Sequence, residues 1–118
     1  TVSLSYERQS RKHVLMWVFL PEGFVSVVAH RTEPDNLMIR ARNADHLDNL
    51  FPGCEVTKLN DADYRYRTVL PRTDVDIMLS KHIEQMTYDN FKSSIDEYEY
   101  HRACSRTWEA MFSYGYEK

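Results

Sequence analysis

The sequence predicts an α+β domain: one antiparallel sheet of three to five strands, two long C-terminal helices packed on one face of it, and one short helix between strands. Three observations carry this. Short runs rich in β-branched and aromatic residues, separated by turn residues, fill the chain as far as residue 70, and helix-period stretches fill it from residue 73 onward. Strands first and helices last is the order of an antiparallel sheet with helices laid across it. At 118 residues and 42% hydrophobic, with three glycines and four prolines, the chain suffices for one core and leaves little room for irregular segments.

The elements follow in order. "HVLMWVFL" and "FVSVVAH" read as a β-hairpin around Pro21, Glu22 and Gly23. The first run is apolar on both faces, with Val14, Met16 and Val18 on one and Leu15, Trp17 and Phe19 on the other, which predicts a central strand. The second places Val25, Val27 and Ala29 on one face and Phe24, Ser26, Val28 and His30 on the other. "LMIRAR" alternates cleanly, Leu37, Ile39 and Ala41 against Met38, Arg40 and Arg42. "NADHLDNLF" predicts a short helix capped by Asn43, with Leu47, Leu50 and Phe51 on one side and Pro52-Gly53 as its stop. "CEVTKL" and "YRYRTVLP" are the remaining strands, the latter setting Tyr64, Tyr66, Thr68 and Leu70 against Arg65, Arg67 and Val69. "TDVDIMLSKHIEQM" predicts a helix capped by Thr73, with Val75, Met78, Leu79, His82, Ile83 and Met86 as its stripe. A second long helix is expected from Tyr88 or Asp89 to about Tyr114, with Phe91, Ile95, Tyr98, Arg102, Ser105, Trp108 and Phe112 inward and Gly115 as its stop. Residues 1–15 read as an N-terminal extension to a single domain over 16–118; a flexible tail, a short edge strand and residues upstream of a natural start at Met16 all fit.

Charge and cysteine content exclude several classes of function. The net charge of −3 is too small for a chain dominated by phosphate binding, and it divides as +1 over residues 1–72 and −4 over 73–118. Cys54 and Cys104 stand apart in no CxxC pattern, which suits a reducing, cytoplasmic setting. No apolar run is long enough to span a membrane. No glycine-rich phosphate loop occurs, and His13, His30, His46, His82 and His101 form no metal-binding spacing, so neither cofactor nor metal is expected.

Several segments in combination, "MWVFLPEGFVSVV", Arg40-Ala41-Arg42, "DHLDNLFPG", "ADYRYRTV", "MTYDNFK" and Arg102-Ala103 with Trp108, resemble a family of small uncharacterised proteins of actinobacteria and their phages. The resemblance spans about residues 16–112. It implies a phage or bacterial cytoplasmic source and brings no activity with it.

Two surfaces stand out as candidate sites. Arg40, Arg42, Arg65 and Arg67, with Tyr64 and Tyr66 between them, would make a sheet face able to hold single-stranded nucleic acid by phosphate contact and base stacking. The acidic, tyrosine-bearing C-terminal helix, through Glu99, Tyr100, Tyr114 and Tyr116, would dock a protein partner. The leading expectation is a non-enzymatic binding protein acting by protein–protein contact, with homo-oligomerisation open. A nucleic-acid module is the alternative. An enzyme is the third, and it requires at least two of His82, His101, Cys104, Asp61 and Asp63 to converge.

Overall fold

The computed structural model describes residues 15–117; the extension expected over residues 1–15 lies outside them except for Leu15. Strands β1 (Leu15–Leu20), β2 (Gly23–Ala29), β3 (Asn36–Ala41), β4 (Thr57–Lys58) and β5 (Tyr66–Pro71) form one antiparallel sheet in the order β1-β2-β3-β5-β4. Helix α1 (Ala44–Leu50) lies between β3 and β4. Helices α2 (Arg72–Glu84) and α3 (Tyr98–Glu117) follow β5, with a 3-10 turn at Lys92–Ser94 between them. The fold is α+β with an antiparallel sheet, a short helix between strands and two C-terminal helices, as the sequence leads one to expect.

Alternation in the two central strands builds the main core. Val25 and Val27 of β2 and Ile39 and Ala41 of β3 turn to one face and meet Leu47, Leu50 and Phe51 from α1 and Val75 from α2. The Asn43 side chain accepts the Asp45 N–H at 2.9 Å, which satisfies one of the orphan donors at the start of α1. Leu47, Leu50 and Phe51 then fall together by helical spacing, and Gly53 takes a positive φ of 81° just beyond the helix end. Gly23 is a site of close approach. A Cβ there would sit 2.6 Å from His46 Cβ and 3.0 Å from its Cα, atoms that no side-chain rotation can move. Gly23→Ala is therefore expected to cost about 1–3 kcal/mol by overpacking, read as a lower denaturant midpoint, and an unchanged midpoint would remove this account.

The two C-terminal helices lie on opposite sides of the sheet, not together on one face as the sequence leads one to expect. Met78 and Leu79 of α2 join the main core, whereas Ile95, with Tyr100 and Cys104 of α3, packs against Phe19, Phe24 and Phe91 in a second cluster. Phe19 and Phe24 are cross-strand partners whose rings stack at 4.4 Å, on the face opposite Val18 and Val25.

Expectations for three elements, β1, α2 and α3, also need correction. β1 lies at the end of the strand order, not at its centre, and Leu15, Met16 and Trp17 are 51%, 40% and 62% exposed. An apolar side chain on each face does not require cover on each face, and only the Val18–Leu20 end of this strand reaches the two clusters. The expected α2 cap at Thr73 is absent: β5 runs directly into the helix through Pro71, which makes no side-chain capping bond. The apolar stripe is buried only at Val75; Ile83 is 70% exposed, and Met86 lies beyond the helix end. The second long helix begins at Tyr98, not near Tyr88. Ser93, Ser94 and Asp96 favour local backbone bonding over helix interior, Asn90 accepts the Ser93 N–H, and Ile95 is extended. The cap falls to Glu97, whose carboxylate accepts the N–H groups of Glu99 at 3.1 Å and Tyr100 at 2.6 Å. Gly115 does not end the helix, which runs to Glu117.

Candidate interaction surfaces

The sheet face opposite the main core carries the arginines. Arg40 of β3 and Arg67 of β5 are direct cross-strand partners, and Arg40 donates from Nη2 to Ser26 Oγ at 2.8 Å. The guanidinium carbons of Arg40 and Arg42 each lie 4.6 Å from the centroid of the Tyr64 ring, a cation–π arrangement. Arg67 donates from Nε to the Tyr64 carbonyl at 3.2 Å, and its Nη2 lies 3.7 Å from Asp63. Arg65, just ahead of β5, is exposed. The structure thus brings Arg40, Arg42, Arg67 and Tyr64 together.

It does not leave the tyrosines free to stack. Tyr64 is only 4% exposed, enclosed by the two arginines and by Phe24 at 6.5 Å. Tyr66 lies against the main core on the other face, with Lys58 Nζ 6.0 Å from its ring. The strand begins at Tyr66, and the Asp63 carboxylate accepts the Tyr64 N–H at 2.8 Å in the bend before it. Strand alternation cannot be extended back through such a bend, so two tyrosines at even spacing end on opposite faces.

Helix α3 is the second surface. Its first turns hold it to the sheet. Tyr100 is 7% exposed, donates its hydroxyl to the Leu20 carbonyl at 2.7 Å, and lies 4.7 Å from the His46 ring. Tyr100 is therefore an anchor and not a partner-facing residue. Glu99 is exposed and lines a hollow of about 460 Å³ with Trp17, Phe19, Phe24, Arg42 and His46. Lys92 covers Trp108 at 4.1 Å from its centroid, and beyond it the side chains of the helix are exposed. Trp108, Phe112 and Tyr116 stack in succession at 5.2 and 6.0 Å and are 51%, 56% and 83% exposed. Met111 and Tyr114 beside them are 61% and 58% exposed. The spacing predicts Trp108 and Phe112 inward; both share the inner face but are left more than half exposed.

His46 and Cys104 show what burial does to titratable groups here. Burial holds the His46 pKa below its ordinary 6.5, against the opposing pull of the nearby Glu97 and Asp45 carboxylates. As pH falls, the unfolded chain takes up this proton before the folded one does. Stability from this group is thus full above about pH 6.5 and declines on acidification below it. His46→Gln should flatten that part of the profile, and a wild-type slope retained in the variant would assign it elsewhere. Burial likewise raises the Cys104 thiol, whose neighbour is Tyr100, so it is a poor nucleophile.

The five residues from which an enzyme would need two to converge fall in three separate places, with His101 and Cys104 one turn apart on α3. His82 lies 3.8 Å from Glu22 in a hollow that contains neither His101 nor Cys104, and Asp61 and Asp63 sit in the β4–β5 loop. Among the described residues no three His, Cys, Asp or Glu side chains lie together as a metal site would require, and no helix is long and apolar enough to cross a membrane. Comparisons with protein-family models, with curated proteins and with solved structures return no match for the chain.

Proposed function

We propose that the protein is a non-enzymatic, cytoplasmic binding protein of phage or prophage origin that docks a helical segment of a protein partner along the outer half of α3. The observation that carries this reading is the exposed Trp108–Phe112–Tyr116 stripe. Aromatic side chains bury roughly 150–250 Å² each, so with Met111 the stripe offers on the order of 500 Å². A patch of that size matches the largest that a monomeric protein ordinarily exposes, which is often functional, and aromatics at helical spacing suit a partner helix laid alongside. Glu109 and Glu117 beside Arg102 and Arg106 give the flanks both signs, which favours a partner with a mixed-charge rim.

Trp108→Glu with Phe112→Glu should leave the unfolding midpoint within about 0.5 kcal/mol of wild type, because both side chains are more than half exposed. The same pair should abolish retention of a helical partner recovered from the natural host. Retention undiminished by the two charges would end the reading, and a second copy as the partner would register as a dimer by light scattering.

Single-stranded nucleic-acid binding is a second reading. It keeps Arg40, Arg42 and Arg67 on one face and loses Tyr64 and Tyr66 as stacking platforms. Absence of any oligonucleotide shift at low salt would end it.

A further inference from the structure

We infer that the arginine face holds a discrete oxyanion site for a phosphate group, centred on Arg40 and Arg67 with Arg31 at its rim. It rests on residues outside α3 and stands independently of the helix-docking reading; it specifies the phosphate contact that the nucleic-acid reading would use.

Three observations point to it. Arg40 and Arg67 stand directly opposite each other on neighbouring strands. Like charges in that position destabilise a sheet, so a pair retained there calls for a counter-charge. The counter-charge among the described residues is thin. Among the described residues the only carboxylate at ion-pair distance from Arg31, Arg40 or Arg67 is that of Asp63, 3.7 Å from Arg67 and 70% exposed. The arginine donors are under-used as well. Each guanidinium has five N–H groups, yet Arg40 Nε is buried without an acceptor, and Arg67 Nη1 reaches only the Met38 sulfur at 3.7 Å.

A hollow of about 460 Å³ opens at this place, lined by Val28, His30, Arg31, Met38, Arg40 and Arg67 among others. His30 Nδ1 accepts the N–H groups of Thr32 at 3.2 Å and Glu33 at 3.1 Å, which leaves Nε2 as its N–H donor. Glu33 lies 3.6 Å from that Nε2 and competes for it, so His30 is a rim group and the two strand arginines are the principal contacts. Planar guanidinium forks match tetrahedral oxyanions in bidentate fashion, which favours phosphate over a monatomic anion.

The full chain should be titrated with inorganic phosphate at ionic strength held constant with sodium chloride. A rise in Tm of about 5 °C is expected once phosphate exceeds its Kd tenfold. Arg40→Gln and Arg67→Gln should each abolish that increment, whereas Arg106→Gln on α3 should retain it. Because glutamine alters the baseline, the phosphate-dependent increment is compared within each variant. Broadening of the phosphorus resonance of free phosphate by the wild-type chain is a readout that needs no variant. No increment over chloride, or an equal increment in every variant as general salt exclusion gives, would overturn the site. An oligothymidylate that displaces bound phosphate would identify a nucleic-acid backbone as the source, and one that does not would identify free phosphate or a small phosphate ester.

Discussion

Tyr100→Ala is expected to lower stability by about 3–5 kcal/mol, the range for deleting a buried aromatic ring. The residue is 7% exposed and lies with Ile95 and Cys104 in the cluster that seats α3 against Phe19 and Phe24. Its hydroxyl donates to the Leu20 carbonyl at the end of β1, and its ring rests on His46 of α1. One side chain thus ties three elements together. Tyr100→Phe keeps the ring and removes only the hydroxyl bond, for an expected loss of about 1 kcal/mol. The two variants together separate packing from hydrogen bonding. Denaturant midpoints within 1 kcal/mol of wild type for both variants would mean that α3 is held by something else.

Leu47→Ala should cost a further-reaching 2–5 kcal/mol. Leu47 is fully buried at the centre of α1 and joins Val25, Val27, Ile39 and Ala41 beneath it. The alanine leaves a cavity in a layer where the strands are fixed by register and cannot close over the gap. This loss should be global, with the sheet and α2 unfolding together at a lower midpoint, unlike the local release expected at Tyr100. A variant that retained its midpoint would show that α1 moves in to fill the space.

Where local rules agree, the sequence is legible. Asn43, Leu47, Leu50, Phe51 and Gly53 each carry a separate signal for α1, and all of them act as their chemistry suggests. The faces of β3 follow from alternation because both neighbouring strands hold its register. Legibility fails where burial depends on how far the rest of the body reaches. Trp17, Ile83, Trp108 and Phe112 have the spacing of core residues, yet each is more than half exposed. Periodicity identifies a face and is silent on whether anything covers it. The arginine surface was half legible: Arg40 and Arg67 follow from strand parity, whereas the position of Tyr64 depends on a bend that no alternation predicts.

The enclosed Tyr64 ring has a consequence for binding entropy. A solvated arginine samples many rotamers, worth about 2 kcal/mol when all are lost. Arg40 and Arg42 rest against a ring that is itself immobile, and Arg40 is further tied to Ser26. Their ordering is completed during folding, so little of it remains to oppose association. An anion arriving at this face would meet groups already in place.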